Sequence, residues 1–401
     1  MAVSKSHWLT IIGLGEDGLD GLSIASQKVL ETAQWIFGAK RHLTLLPEDL
    51  HRKSILWPVP FESGIDALLQ KRTEQVVMLT SGDPFWYGAG SVITRHLESQ
   101  EWVAHPAPSC FSLTASFLGW PLEKTICHAL HAAPFSTIQK DLHPNNRLMV
   151  TLKDGPSINE LANYLCKSGF GTSKLTVCEA MGGPRQRVRE TKANSLAFID
   201  VVHPVMVAIE PCGGESISLA NGLEDDLFEH DGQLTRSPIR ALTLSTLAPR
   251  AGEQLWDIGA GSGSISIEWL LSHPTCQAIS LEADATRVER IARNAVRFGV
   301  ERLNIIHATV PEGLDGLDPP DVVFIGGGLN ASVLSAVLER IGVGTRLVVN
   351  AVTVESESLI IEKQREMGGQ LLRFDISSLN SLGTKRGWKA AYPVVQWSVT
   401  I

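Results

Sequence analysis

Short apolar runs alternate with longer segments of helical periodicity along the whole sequence, and this alternation is typical of α/β proteins. WLTIIGLG (8–15) predicts a buried strand that runs into a glycine turn, and SIASQKVLETA (23–33) predicts the helix that follows. HPAPSCFSLTASFLGWP (105–121) predicts a turn, a serine cap and a helix that stops before Pro121. Further apolar strands are predicted at 76–83, 147–152, 174–179 and 203–210.

One segment, 213–233, interrupts the alternation because it is rich in Gly and acidic residues and has no apolar period. It predicts a linker. After it a fresh series of apolar strands begins, among them EQLWDIGAG, QAISLEAD and DVVFIGGG. The sequence of 401 residues therefore predicts two domains, 1–212 and 234–401. The two parts do not resemble each other, which favours a fusion over a duplication.

Composition and charge narrow the classes of function. With 44% hydrophobic and 19% charged residues, the chain has ordinary globular composition. Its net charge of -8, with no basic excess in either part, argues against a general nucleic-acid binder. The six cysteines form no C-x-x-C pair, and no metal site is predicted. No apolar stretch approaches the roughly 18 residues that span a bilayer, so we expect a cytoplasmic protein with no membrane partner.

The most informative stretch is LWDIGAGSGSISIEWL (255–270), in which an apolar strand ends at Asp257 and passes through glycines into a helix. The glycines occupy every second position, at Gly259, Gly261 and Gly263. A dinucleotide fingerprint needs Gly or Ala at the sixth position, where this sequence has Ser264. Glu282 ends the next strand, 25 residues after Asp257, where a carboxylate can accept both hydroxyls of a ribose. The spacing resembles that of class I S-adenosylmethionine (AdoMet) methyltransferases; a NAD site or a glycine turn without a ligand is the alternative.

The first part contains glycine loops of another kind. IIGLGEDGLDGLS (11–23) places glycines after a strand, and VVMLTSGDPFWYGAG (76–90) follows a strand with Ser-Gly-Asp-Pro and two aromatic residues. Gly82 and Pro84 imply a tight turn, and Tyr87 beside Trp86 can line a flat pocket. A purely structural turn is the alternative interpretation of this loop.

Four stretches of the first part occur in the order seen in the tetrapyrrole methylases of corrin synthesis, which bind AdoMet in a trough between two α/β subdomains. These stretches are GLGEDGLDGLS, SGDPFWYG, PAPSCFSLTASFLGWPLEKT and CEAMGGPRQRVRE. The second part, from LTRSPIRALTLSTLAP (234–249) through DIGAGSGSISIE, resembles the decarboxylating methyltransferases of the same pathway. One departure is GLGEDG in the first loop, where that family usually has Gly-Pro-Gly.

The resemblance implies a two-subdomain tetrapyrrole methylase fold followed by a Rossmann-like class I AdoMet methyltransferase. It implies methylation of a precorrin, an anionic tetrapyrrole, at C5 by the first domain. The second domain would methylate C15 and remove the ring C acetate carboxyl as carbon dioxide, so that precorrin-6B becomes precorrin-8. It further implies two AdoMet sites, one per domain, and a homo-oligomer.

Site residues are carried over onto matching positions of this sequence. In the first domain the AdoMet contacts are predicted at Gly13, Gly15, Gly82, Asp83, Tyr87 and Gly88. In the second domain they are predicted at Thr235, Gly259, Ala260, Gly261, Ser262, Gly263, Glu282 and Ala308. Asn350 and Thr353, after the fifth strand, are predicted to face the substrate and to act in catalysis.

An acidic protein needs local positive charge to hold a polycarboxylate. RQRVR (185–189) and TKRGWK (384–389) are predicted to supply it, with solvated surface as the alternative. Arginines at helical spacing predict an exposed helix face, and they are Arg287, Arg290, Arg293 and Arg297. His128 and His131 could share a face, but no third metal ligand accompanies them.

Two alternative functions are an RNA methyltransferase and a non-catalytic carrier. An RNA methyltransferase is disfavoured by the acidic balance and by IGGGLN (325–330), which stands where amino-methylating enzymes carry an Asn/Asp-Pro-Pro-aromatic element. A non-catalytic carrier of AdoMet or a tetrapyrrole is the other alternative.

Overall fold

The computed structural model of the chain describes residues 7–401, which fold into two compact units. The first unit runs to Phe135 and includes Asp141–Glu215. The second unit comprises Ser136–Lys140 and Ser216–Ile401. Within residues 7–401, no helix is both long enough and apolar enough to cross a membrane.

Two five-stranded sheets organise the first unit. Its strands are β1 Leu9–Leu14, β2 Trp35–Gly38, β3 Ser54–Leu56, β4 Val76–Ser81, β5 Trp102–His105, β6 Ile126–Ala129, β7 Leu148–Leu152, β8 Lys174–Glu179, β9 Arg187–Lys192 and β10 Val205–Glu210. Its helices are α1 Ile24–Thr32, α2 Lys40–Thr44, α3 Glu48–His51, α4 Ile65–Leu69, α5 Gly90–Ile93, α6 Cys110–Leu118 and α7 Ser157–Lys167. The first sheet is parallel, in the order β3-β2-β4-β1-β5. The second is mixed, in the order β6-β7-β10-β8-β9.

The first sheet is buried on both faces, as its unbroken apolar strands require. All six residues of β1 are buried; Leu9 and Ile11 pack in one cluster, while Ile12 and Leu14 pack in another. Helix α6 begins at the predicted cap: the Ser109 side chain accepts a hydrogen bond from the backbone N–H of Ser112. Its apolar residues pack against the second sheet. The predicted capped helix is thereby confirmed.

The second unit contains one seven-stranded sheet flanked by helices. Its helices are α8 Ser237–Leu247, α9 Ser264–Ser272, α10 Ala285–Arg297, α11 Ala331–Leu338 and α12 Val354–Met367. Its strands are β11 Gln254–Ile258, β12 Gln277–Glu282, β13 Asn304–His307, β14 Val322–Ile325, β15 Arg346–Ala351, β16 Gln370–Phe374, β17 Ser377–Leu382, β18 Lys385–Ala390 and β19 Val394–Thr400. The sheet order is β13-β12-β11-β14-β15-β19-β16, and β17 pairs with β18 in a separate hairpin.

This strand order fixes where a ligand can bind. The first five strands of the sheet are parallel, and the chain reverses its direction of travel across the sheet between β11 and β14. Ligands of open α/β sheets bind outside the carboxyl ends of the strands at such a switch point. The glycine stretch after β11 lies at that position. The sheets of the two units confirm the predicted α/β fold class.

The segment 213–233, predicted to be a linker, is incorporated into the second unit from Ser216 onwards. Leu223 and Phe228 are buried in the core of that unit, and the Phe228 ring lies 4.6 Å from the Phe298 ring between centroids. A segment that is mostly polar thus has two apolar anchors. Its low overall hydrophobicity, without a repeating pattern, concealed them from the sequence interpretation.

Candidate functional site

Each of the three glycines after β11 is required for a different physical reason. All three adopt left-handed conformations, with φ of 69° at Gly259, 63° at Gly261 and 76° at Gly263. A Cβ at Gly259 would lie 2.5 Å from the Gly327 carbonyl oxygen, and one at Gly263 would lie 2.8 Å from the Ile291 side chain. At Gly261 the nearest atom is a backbone oxygen at 3.4 Å. The first and third glycines are therefore needed for packing, whereas Gly261 leaves space beside its backbone.

Glu282 stands at the end of β12 beside this loop. Its side chain accepts hydrogen bonds from the backbone N–H of Gly261 at 2.8 Å and of Asp284 at 3.0 Å, one on each carboxylate oxygen. It is 6% exposed. Each oxygen can accept a further hydrogen bond, because a carboxylate has about four acceptor positions. Ala308, half-buried after β13, donates its N–H to the Glu282 carbonyl oxygen at 3.1 Å. The structure thus brings the predicted Gly261, Glu282 and Ala308 together.

Asp257 supports the loop from below. It is fully buried, and its Oδ2 accepts hydrogen bonds from the Ser266 hydroxyl at 2.7 Å and from the Ser266 N–H at 3.3 Å. Burial raises the pKa of Asp257 to about 6. Ser262, the predicted contact in the middle of the loop, is 1% exposed, and its hydroxyl has no hydrogen-bond partner among residues 7–401. A buried hydroxyl without a partner is a point at which a ligand can satisfy the protein.

Buried polar residues that the sequence analysis missed hold this site in place. Asn294 donates from its side chain to the Ser262 carbonyl oxygen at 2.9 Å and to that of Glu229 at 3.0 Å. Arg240 is fully buried; its guanidinium donates to Glu268 at 2.5 Å and to the carbonyl oxygen of the predicted Thr235. The available signal was an opposite pair of charges within the apolar helices α8 and α9, since buried charges need partners.

The two residues predicted to be catalytic have local structural partners. The Asn350 side chain, 8% exposed, donates to the Thr243 hydroxyl at 3.0 Å and accepts from the Gln396 amide at 2.9 Å. Thr353 caps α12, with its hydroxyl accepting from the N–H of Ser356 at 3.2 Å. Both residues lie at the carboxyl end of β15. Their catalytic role stays a prediction.

The first unit contains a cavity of about 540 Å³. Four predicted contacts line it: Gly15, Gly82, Tyr87 and Gly88. Gly13 and Asp83 are not among its lining residues. Their positions have structural reasons, since a Cβ at Gly13 would lie 1.7 Å from the Gly82 carbonyl oxygen. The Asp83 carboxylate accepts a hydrogen bond from the N–H of Phe85 at 2.8 Å, as in an Asx turn.

Charged and polar side chains form one part of the cavity wall. Glu16, 6% exposed, binds Arg41 and also binds Arg185 at 2.8 Å. The other terminal nitrogen of Arg41 donates to the Ser81 hydroxyl at 2.5 Å and to His42 Nε2 at 2.9 Å. Because a guanidinium only donates, the proton of the neutral imidazole lies on Nδ1. Burial and the charge of Arg41 lower the pKa of His42 to about 3.

The basic segments predicted to hold carboxylates differ in availability. Arg187 and Arg189 both bind Glu179, which is fully buried, and Asp200, so neither presents a free guanidinium. The 384–389 segment lies in the exposed β17–β18 hairpin, and its cations enter no ion pair within residues 7–401; they are Lys385, Arg386 and Lys389.

The arginine stripe of α10 was predicted to be an exposed helix face; Arg293 and Arg297 are exposed, whereas Arg287 and Arg290 are half-buried. Arg287 and Arg290 bind Asp231 at 3.0 Å and 2.9 Å, and Arg293 binds Glu229 at 2.8 Å. These pairs attach the 229–231 segment to the helix. Within the described part of the chain, no group of three or more His, Cys, Asp or Glu is arranged to hold a metal ion.

Comparison with known proteins assigns a class to each half. Residues 8–197 match the family model of tetrapyrrole (corrin/porphyrin) methylases, and residues 226–401 match the precorrin methyltransferase domain. The chain therefore combines two methyltransferase modules.

The full-length relatives define the family. The chain is 44% identical over 400 residues to the precorrin-6Y C(5,15)-methyltransferase (decarboxylating) of Sinorhizobium sp, covering 98% of this chain and 97% of the relative. It is 36% identical over 397 residues to the protein of the same name from Mycobacterium tuberculosis, covering 98% and 99%. The chain belongs to the precorrin-6Y C(5,15)-methyltransferase (decarboxylating) family. This confirms the resemblance and the predicted class of enzyme, an AdoMet-dependent methyltransferase.

Among solved structures, the C-terminal domain of precorrin-6Y C5,15-methyltransferase from Rhodobacter capsulatus is 46% identical, with a TM-score of 0.45. The match covers 46% of this chain and 100% of that domain.

Proposed function

We propose that the chain methylates precorrin-6B at C5 and C15 and removes the ring C acetate carboxyl, giving precorrin-8, with one AdoMet site in each unit. The first unit methylates C5; the second methylates C15 and decarboxylates. One observation supports this most: each unit has a glycine turn at the carboxyl end of parallel strands. These turns are the one at Gly82, which lines the cavity of the first unit, and the loop 259–263 beside Glu282.

The second unit fits AdoMet through both backbone and side chains. The space beside Gly261 admits a ligand to the backbone, and the adjacent buried Ser262 hydroxyl has no hydrogen-bond partner among residues 7–401. Glu282 accepts the ribose hydroxyls with the acceptor positions that Gly261 and Asp284 leave unused. The first N–H groups of α9 add positive potential at the start of the helix. Thr235, held by Arg240, closes the site from the preceding segment.

The first unit fits AdoMet by size and polarity. A volume of about 540 Å³ lies within the range of sites for small-molecule ligands and cofactors. Leu79, Leu152 and Met206 supply apolar wall, while Tyr87 contributes a ring whose hydroxyl is fixed by donating to the Cys127 carbonyl oxygen at 2.8 Å. The apolar wall and the charged Glu16–Arg41 side belong to the same cavity.

The proposed reactions require little acid, base or nucleophilic catalysis from the protein. When bound, AdoMet supplies a methyl group to a nucleophilic carbon, and its sulfur keeps the electron pair of the broken bond. The protein's task is to align that carbon with the methyl group, because such positioning alone strongly accelerates the transfer. In decarboxylation, the carbon–carbon bond to the acetate carboxyl breaks, carbon dioxide leaves, and the electron pair enters the conjugated macrocycle, where a proton is taken up. The macrocycle itself therefore serves as the electron acceptor.

A product analysis tests the proposal. The chain is incubated with precorrin-6B and AdoMet that carries a deuterated methyl group, and the product is weighed by mass spectrometry. The expected product contains two deuterated methyl groups and has lost one carbon dioxide. An unmodified macrocycle would instead indicate a carrier, and one methyl group with no loss of carbon dioxide would overturn the bifunctional proposal. A homo-oligomer and the absence of a nucleic-acid partner stay predictions from the sequence.

A further inference from the structure

Two arginines, one from a helix and one from a loop, bind one carboxylate that lines the first-unit cavity. Glu16 follows β1, Arg41 lies in α2, and Arg185 lies in the loop between β8 and β9. Glu16 binds both guanidiniums, one on each oxygen. Gly183 makes the approach possible, since a Cβ there would lie 2.5 Å from the Glu16 Cβ. We call these three residues the arginine clasp.

The arginine clasp has unused donors. A guanidinium has five N–H groups, and the only partner found for Arg185 within residues 7–401 is Glu16, through one terminal nitrogen. Its side chain is 54% exposed, so the other donors are accessible. Arg41 is more deeply fixed, at 22% exposure, by Glu16, His42 and Ser81. Arg41 is therefore held in place, whereas Arg185 has donors free for a ligand.

The local charge favours an anionic ligand. Two guanidiniums share one carboxylate within the clasp, and the imidazole of His42 beside it is neutral. Arg187 and Arg189, on the neighbouring strand, are committed to Glu179 and Asp200 and do not compete for the same ligand. A planar guanidinium recognises a carboxylate with two parallel hydrogen bonds. The clasp therefore matches a carboxylate at the edge of the cavity.

We infer that the arginine clasp binds a side-chain carboxylate of the tetrapyrrole in the first unit, with Arg185 as the residue that engages it. This rests on the proposed function, because it assigns a subsite for the substrate of the same reaction. It also gives a role to the acid of GLGEDG: Glu16 orients the two arginines. Within RQRVR (185–189), Arg185 binds the substrate, while Arg187 and Arg189 are structural.

The test compares Arg185→Gln with Arg72→Gln. Arg72 is a matched control, since it is a partly exposed arginine of the same unit whose partner Glu101, unlike Glu16, does not line the cavity. We measure KM for precorrin-6B and for AdoMet, and binding of precorrin-6B and of its fully esterified form by quenching of tryptophan fluorescence. Arg185→Gln is expected to raise KM for precorrin-6B on the order of tenfold, the loss of one charge-assisted hydrogen bond.

Three further readouts separate recognition from structural support. KM for AdoMet should be unchanged in Arg185→Gln, Arg185→Lys should restore part of the affinity, and the esterified macrocycle should bind wild type and Arg185→Gln equally. Wild-type KM for precorrin-6B in Arg185→Gln, or equal weakening for the ester and for AdoMet, overturns the inference. Failure of the wild type to methylate precorrin-6B at all would defeat the proposed function instead, so the two failures are distinguishable.

Discussion

Replacement of Glu282 by glutamine separates the two halves of the proposed reaction. The carboxylate accepts the N–H of Gly261 at 2.8 Å on one oxygen and that of Asp284 at 3.0 Å on the other. An amide keeps one acceptor oxygen and turns a donor toward the other partner. A hydrogen bond to a charged acceptor contributes about 1.5–3 kcal/mol. Loss of one loop contact and one ribose contact should raise Kd for AdoMet in the second unit on the order of a hundredfold or more.

The assay is the mass of the product formed by Glu282→Gln at an AdoMet concentration that saturates the wild type. We expect a macrocycle with one added methyl group and its acetate carboxyl retained, because the first unit is untouched. Glu289→Gln is the matched control, since this glutamate lies on the neighbouring α10 with its side chain 78% exposed. If Glu282→Gln forms the doubly methylated, decarboxylated product as readily as the control, Glu282 does not hold the cofactor.

The remaining predictions concern residues with structural partners. The buried Asp257 keeps its proton to about pH 6, whereas the unfolded chain releases it near pH 3.8. The free energy of unfolding should therefore fall by about 3 kcal/mol as the pH rises from 3.8 to 6. Asp257→Asn should remove this fall, and unfolding at pH 4 and pH 7 that gives the same pH dependence in both proteins would refute the burial argument. Gly13→Ala places a Cβ 1.7 Å from the Gly82 carbonyl oxygen and should destabilise the first unit by at least about 1–3 kcal/mol. Methylation at C15 should persist, and unchanged thermal stability would contradict the packing argument. Asn350→Ala removes hydrogen bonds to Thr243 and Gln396 and should cost about 1–3 kcal/mol of unfolding free energy, measured by denaturant titration. Unchanged stability would contradict this expectation, and loss of kcat in the folded variant would support the predicted catalytic role.

Local patterns predicted the parts of the protein that depend on nearby residues. The strand, glycine loop and second acid around Asp257 and Glu282 are set by short-range geometry, so their spacing was informative. The serine cap at Ser109 follows the same logic. These features need only a backbone turn and one or two hydrogen bonds, so a sequence pattern can predict them.

Contacts between distant positions were beyond the sequence interpretation. Arg185 and Glu16 are 169 residues apart and meet only because two sheets fold in one unit. The same RQRVR segment contains one arginine that binds the cavity-lining Glu16 and two that bind the buried Glu179. Composition marked the segment as basic, but only the fold divides its charges into available and committed ones.

The segment before α8 shows the same limit at the level of domains. Its glycines and acids predict a linker, yet Asp231 and Glu229 bind arginines of α10, and Phe228 is buried. Asp231 and Glu229 thus bind a helix that begins more than fifty residues later. A charge pattern alone cannot separate two solvated faces from two faces that bind each other.

The central claim is that one chain holds two methyl-donor sites, one in each unit. Titration calorimetry of the wild-type chain with AdoMet measures their number directly. The account predicts two molecules bound per chain and one per chain in Glu282→Gln at the same concentrations. A single site in the wild type, or two unaltered sites in the variant, would contradict it.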